Sequence, residues 1–307
     1  MSRKIIIDCD PGVDDAYAIM YALAHPELDV VAITTVSGNV SIDHTTRNAQ
    51  KLVSLSGKSL PIGRGADIPL VKDPFYAEYI HGKNGLGGYE LDIEKHPLYD
   101  GSAIELIKNS FDKHHKLTIL ALGPLTNIGH FLILYPEYKE RIEEIVIMGG
   151  GLKNGNTTAA AEFNIYVDPE AARIVFHSGI KLTMAGLDVT EKALLFREDV
   201  DSLDSLGEVG SILANITRKA RKIHGKEKVY TALHDLVSVM YLVKSEIFET
   251  KDYWVDIICE EGPCRGMTLA DRRSFVRNPQ TNTTVILNLD RRAFLDELFS
   301  TIDNYNG

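Results

Sequence analysis

Cysteine, positive charge and long apolar runs are all scarce in this chain of 307 residues, and each shortage closes off a class of protein. The three cysteines (Cys9, Cys259 and Cys264) are an odd set with neither zinc-site nor redox spacing. They exclude a disulfide framework and fit a reduced, cytoplasmic protein. A net charge of −10, with no basic tract, argues against a nucleic-acid polymer as partner, because phosphates would find nothing to neutralise them. No apolar run approaches the ~20 residues needed to cross a bilayer. Residues 1–4 lead straight into a strand-like segment with no secretory pattern, which again points to the cytoplasm. Repeats, low-complexity tracts and linkers are also missing, so a single domain is expected over 1–307. What remains, 44% apolar and 25% charged, is the composition of an ordinary globular protein with a sizeable core.

Against that plain background one stretch stands out, KIIIDCDPGVDD from Lys4 to Asp15. An isoleucine-rich strand ends in Asp8 and Asp10, Pro11-Gly12 turns the chain, and Asp14-Asp15 open a helical segment. Two carboxylates about 5 Å apart at an effective dielectric of about 20 repel by roughly 3 kcal/mol. Four together would hold protons unless a cation relieved them. An all-oxygen set of this kind suits calcium or magnesium. In a strand Asp8 and Asp10 share a face, whereas Asp14 and Asp15 on a helix diverge by about 100°. One of the second pair can therefore hold a metal while its neighbour faces something beside it. The plain alternative is a helix cap with solvated surface charge. An EF-hand loop fails, because its sixth position, counted from Asp8, is Val13 rather than glycine. A haloacid-dehalogenase-type phosphatase also begins with a strand followed by D-x-D, but it continues differently from Pro11-Gly12.

Along the chain, strand-like and helix-like segments alternate. Strands are predicted at 29–35, 61–66, 117–121, 144–148, 181–185, 253–259, 266–270 and 284–289. Helices are predicted at 41–55, 102–112, 125–135, from Asp168-Pro169 to His177, and at 290–302; residues 190–250 read as mostly helical. The β-α-β-α opening predicts an α/β fold, a doubly wound, mostly parallel, Rossmann-like sheet. Residues 67–101, rich in glycine and proline, read as a mobile lid. In such a sheet ligands lie beyond the carboxyl ends of the strands. Asp10, Asn39, Leu122, Asn156, Glu162 and Asn164 gather there, and His234-Asp235 opens a late helix.

These pieces resemble the nucleoside hydrolases, the inosine-uridine-preferring N-ribohydrolases. The resemblance runs through DCDPGVDD (8–15), SGN (37–39), HTTRNA (44–49), HGKNGLGG (81–88), ALGPLTNI (121–128), MGGG (148–151), GNTTAAAEFNIYVDPEAA (155–172), HD (234–235) and RGMTLAD (265–271). It implies calcium-dependent hydrolysis of the N-glycosidic bond of ribonucleosides to ribose and base, within nucleoside salvage. Asp10, Asp15, Asp235 and the carbonyl of Leu122 would bind Ca²⁺. Asp14, Asn39 and Asn164 would hold the ribose 2′- and 3′-hydroxyls, Asn156 and Glu162 the 5′-hydroxyl, and His81 and His234 would approach the base. The chemistry matches: carboxylates stabilise an oxocarbenium-like sugar, Asp10 acts as general base on water, and His234 assists the leaving base.

Each role has a plain rival: Asn39 could cap the helix at Ser41, and Glu162 could pair with a buried arginine. Asp8 is expected to support the ligands from behind, and Cys9 to face the core. Residues 190–230 match no motif; His224 or Tyr230 could contact the base. Purine-specialised relatives stack the base on tryptophans, whereas this chain has only Trp254 and carries His234 instead, which points to a pyrimidine-preferring or broad enzyme. The resemblance also implies a homo-tetramer or homodimer. Two other functions stay open at this point: a magnesium-dependent phosphatase with Asp8 as nucleophile, and a nucleoside-binding protein without turnover.

Overall fold

The computed structural model describes residues 2–223, 229–273, 275 and 280–306. It begins with β1 (Arg3–Cys9), α1 (Val13–Ala24), β2 (Leu28–Thr35), α2 (Ile42–Leu55) and β3 (Ile62–Arg64). Next come α3 (Glu78–His81), α4 (Ala103–Lys113), β4 (Leu117–Ala121), α5 (Thr126–Leu134) and β5 (Ile142–Met148). The middle holds α6 (Phe163–Val167), α7 (Pro169–Phe176), β6 (Leu182–Ala185), α8 (Leu187–Thr190), β7 (Leu194–Leu195), α9 (Arg197–Leu203) and α10 (Gly207–Ala220). The chain ends with β8 (Thr231–Ala232), α11 (His234–Tyr241), β9 (Phe248–Tyr253), β10 (Val255–Ile257), β11 (Thr268–Ala270), β12 (Thr283–Leu289) and α12 (Arg291–Asp303).

Eight strands form one sheet in the order β3-β2-β1-β4-β5-β6-β12-β9. All pairings are parallel except that of β9 with β12, so the expected doubly wound α/β fold is present. The chain winds outward from β1 to β3 and then returns to place β4 on the other side of β1. That reversal leaves a crevice at the carboxyl ends of β1 and β4, where a doubly wound sheet takes its ligand. Side chains alternate across β1. Ile5, Ile7 and Cys9 join the apolar cluster shared with α1, α10 and α11, whereas Ile6 joins the one shared with α4 and α5. Cys9 therefore faces the core, as expected.

Local chemistry explains several boundaries. Ser102 caps α4 by accepting from the Glu105 amide at 3.2 Å, while Glu105 reaches back to the Ser102 amide. Asp168 caps α7, with Pro169 in the first turn. The strand expected over 253–259 is instead two, β9 and β10, separated at Trp254 and belonging to different sheets. Continuous β propensity hides such a break, because a bend between sheets needs no glycine or proline signal. Among the described residues of 190–250, β7 precedes α9 and α10, β8 precedes α11, and β9 begins at Phe248, so the expected helical stretch is interrupted. Residues 67–101 carry one helical turn, α3. Beyond it the segment is fastened: Leu86 and Leu91 are buried, and α2 holds it through Gln50 to the His96 carbonyl and Lys51 to the Leu91 carbonyl. No helix among the described residues is long and apolar enough to cross a membrane.

Candidate active site

Five aspartates from three elements converge on the crevice, every one buried. Asp8 is the penultimate residue of β1, Asp10 follows the strand, Asp14 and Asp15 sit in the first turn of α1, and Asp235 sits in the first turn of α11. Carboxylate oxygens of Asp14, Asp15 and Asp235 lie within 4.8 Å of one another. Asp235 is 220 residues from Asp15 in sequence; contact between α1 and α11 unites them. Asp14, expected at the ribose hydroxyls, thus belongs to the same group as Asp15 and Asp235, whereas Asp10, an expected ligand, is not part of it.

Asn39 locks this group together. Its backbone amide donates to Asp10 Oδ2 at 2.7 Å, and its side-chain amide donates to the Asp10 carbonyl and to Asp15 Oδ2, each at 3.1 Å. The Gly12 amide also donates to Asp15 Oδ2, at 2.8 Å. Asn39 does not cap α2, whose first turn receives no side-chain hydrogen bond. One oxygen of each carboxylate is thereby held, and Asp10 Oδ1 and Asp15 Oδ1 are left buried without a hydrogen-bond partner. Buried polar atoms are rarely left so, and an orphaned pair marks a place for something to bind.

Electrostatics agree. Burial, and then the charge of Asp15, drives the Asp10 carboxyl well above its usual range. Burial and Asp14 lift Asp15 to about 7, and burial with the charges of Asp14, Asp15 and Asp10 raises Asp235 strongly. Asp8 rises to about 7 through burial, opposed by hydrogen bonds from Thr34 Oγ1 at 2.6 Å and Asn127 Nδ2 at 2.7 Å. Asp8 Oδ1 is therefore held from behind, while Asp8 Oδ2 is buried without a partner. An oxygen-only, proton-retaining cluster of this kind fits a hard divalent cation.

The other expected residues have these partners. Asn164 Nδ2 donates to the Leu122 carbonyl at 2.8 Å and to the Met148 carbonyl at 3.1 Å, so two residues expected to act separately touch each other. Glu162 caps α6, accepting from the amides of Gly150, Asn164 and Ile165 at 2.9, 3.0 and 3.2 Å. Burial lifts its carboxyl to about 7, and no arginine among the described residues forms an ion pair with it. Asn156 Oδ1 accepts from the Phe163 amide at 2.9 Å. His81, on α3, lies 3.9 Å from Asp14 and accepts from the Val13 amide at Nδ1, 3.1 Å away. Burial lowers the basicity of His234, whose Nδ1 meets Thr190 Oγ1 at 2.8 Å. Tyr230 is half exposed and packs edge-on against Phe196, and His224 lies outside the described residues. Trp254 packs edge-on against His177.

Two supports were not assigned from the sequence. Asn127, inside the ALGPLTNI motif, bonds Asp8 and the Thr35 carbonyl. Thr190 had no signal at all.

An α/β crevice rimmed by carboxylates at a switch point is the kind of place that takes a small polar ligand, and comparison with known proteins supplies the family. The sequence profile of the inosine-uridine preferring nucleoside hydrolases matches residues 5–296, and the chain belongs to that family. It is 41% identical to the pyrimidine-specific ribonucleoside hydrolase RihA of Salmonella newport (strain SL254), covering 99% of this chain and 100% of that one. A plant nucleoside hydrolase superposes with a TM-score of 0.91 at 30% identity over 98% of this chain and 99% of its own. A purine-preferring ribonucleoside hydrolase from Gardnerella vaginalis gives 0.89 at 35% identity, with 99% of both chains covered. The protein is thus a ribonucleoside hydrolase, and its substrate a small-molecule nucleoside.

Proposed function

We propose that this enzyme is a calcium-dependent, pyrimidine-preferring ribonucleoside hydrolase. The observation that carries the reading is the buried aspartate group, in which Asp10 Oδ1 and Asp15 Oδ1, like Asp8 Oδ2 behind them, have no hydrogen-bond partner. Asp10, Asp15, Asp235 and the Leu122 carbonyl would hold the cation. When bound, Ca²⁺ would neutralise the cluster, grip the ribose diol and make a neighbouring water more acidic.

The chain's own residues do the rest. Asp10, oriented by its two hydrogen bonds from Asn39, takes a proton from water at Oδ1. The oxygen of that water bonds to C1′ of the ribose as the C–N bond breaks and its electron pair leaves with the base. Positive charge grows on the sugar in between, and Asp14 would help to stabilise it while meeting the ribose hydroxyls. Asn39 and Asn164 fit the 2′- and 3′-hydroxyls, and Asn156 and Glu162 the 5′-hydroxyl. His81 and His234 face the base; His234, oriented by Thr190, supplies the proton or hydrogen bond that eases its departure.

Two observations support the pyrimidine preference: the likeness to the Salmonella hydrolase named pyrimidine-specific, and a sole tryptophan engaged with His177. A reducing-sugar assay on uridine, cytidine, inosine and adenosine, with chelator and with calcium restored, tests the reading. Sugar release fastest from the pyrimidines, abolished by chelator and recovered with calcium, is expected. Equal rates in chelator, or inosine cleaved fastest, would overturn the metal or the preference respectively.

A further inference from the structure

The motif HTTRNA at 44–49 takes no part in the chemistry just described, yet its asparagine joins two functional loops. Asn48 is buried in α2, and its Nδ2 donates to the Pro11 carbonyl and to the Asn84 carbonyl, both at 2.9 Å. An amide nitrogen has two hydrogens, one for each oxygen, so the side-chain orientation follows from its partners. Pro11 lies between Asp10 and the start of α1. Asn84 lies in the glycine-rich segment that follows His81.

That segment is a closed turn. Asn84 Oδ1 accepts from the Leu86 amide at 3.1 Å and the Gly88 amide at 2.9 Å, and its Nδ2 donates to the Tyr89 carbonyl at 2.9 Å. The Gly87 amide donates to the His81 carbonyl at 2.8 Å. From His81 the path returns to the aspartate turn through the Val13 amide, 3.1 Å from Nδ1. The circuit runs Pro11, Val13, His81, Asn84, Asn48 and back to Pro11. Two glycines let it close: a Cβ on Gly12 would lie 2.4 Å from His81 Nδ1, and one on Gly85 would lie 2.7 Å from Asn48 Nδ2. Gly85 also has a φ of +82°, which favours glycine.

We propose that Asn48 is a positioning residue: by tying the 82–89 turn to the aspartate loop, it holds His81 with Nδ1 on the Val13 amide and Nε2–H directed to the substrate. The inference rests on the reading of His81 as a base contact, and its test separates the two. Long-range ¹H–¹⁵N spectra of histidine-labelled protein at about pH 8, where imidazoles are neutral, report the tautomer without any substrate. His25 is the internal control, because its Nδ1 also accepts from a backbone amide, that of Glu27 at 3.2 Å.

Native His81 should show the Nε2–H form. In Asn48→Ala it should average between tautomers while His25 is unchanged. An Nδ1–H form in the native chain, or no change in the variant, would overturn the proposal. If Asn48→Ala does not fold, Asn48→Asp, which keeps the shape and removes the donors, takes its place. Failure of both would show that Asn48 serves the whole fold and would equally overturn a role confined to His81. On uridine, Asn48→Ala and His81→Ala should each lower kcat/KM by about tenfold to a hundredfold, and the double variant should lose no more than the worse single. Losses that multiply would contradict it. Should the native protein cleave no nucleoside, the functional reading falls, and the spectra still decide the role of Asn48.

Discussion

Asn39 grips Asp10 twice, its backbone amide on Oδ2 at 2.7 Å and its side-chain amide on the carbonyl at 3.1 Å, leaving Oδ1 as the one oxygen of Asp10 without a partner. A carboxylate so fixed can be removed as a base without removing its shape. Asp10→Asn should therefore lower kcat on uridine by roughly two to four orders of magnitude while thermal unfolding stays cooperative. A variant retaining most of its kcat would exclude Asp10 as the base.

The same carboxylate depends on the absence of a side chain at Gly38. A Cβ there would lie 2.1 Å from Asp10 Oδ2 and 2.8 Å from Pro124 Cδ. Gly38→Ala should displace Asp10 and cost about a hundredfold or more in kcat/KM, a loss visible in the sugar assay. Near-native activity would mean that the loop yields without moving Asp10.

Glu162 holds three backbone amides in a buried place. Glu162→Ala should destabilise the enzyme by about 2 kcal/mol or more, since buried donors lose their acceptor and α6 its cap. Denaturant unfolding measures this. KM for a ribonucleoside should rise further than KM for its 5′-deoxy analogue if the residue also meets the 5′-hydroxyl.

Without a cation, pH should act in an unusual direction. Asp8, Asp15 and Glu162 have folded values near 7, against ordinary values of 3.8, 3.8 and 4.5, and Asp10 and Asp235 are raised as well. The folded chain then holds more protons than the unfolded one between those limits. This contribution to stability is complete below about 4 and is lost as pH rises through about 7. Chelated protein should therefore melt at a lower temperature at about pH 8 than at about pH 5, and added calcium should raise Tm more at the higher pH. A melting temperature that rises with pH in chelator would show that the cluster is not proton-loaded.

Most of this architecture is legible in the sequence because its causes are local. The Ile5–Ile7 run ending in Asp8, the Pro11-Gly12 turn and the Asp168-Pro169 cap each announce their elements within a few residues. The aspartates are conspicuous because so many carboxylates at a buried strand end need a reason. Asn48, Asn127 and Thr190 stay silent because a polar residue in or beside a helix is ordinary until its partner is known, and those partners lie 37, 119 and 44 residues away. The division at Trp254 is hidden for a similar reason: β9 and β10 are both strand-forming, and only pairing with β12 and β11 tells them apart. Base preference is the least legible feature, since residues 190–230 carry no motif.

The central claim, that remote aspartates share one cation, is tested most directly by calorimetric titration of chelated protein with calcium. Native protein should take up one ion per chain, and Asp15→Asn and Asp235→Asn, though 220 residues apart, should each abolish that uptake. A native chain that binds no calcium, or variants that bind it as well as the native chain does, would contradict the account.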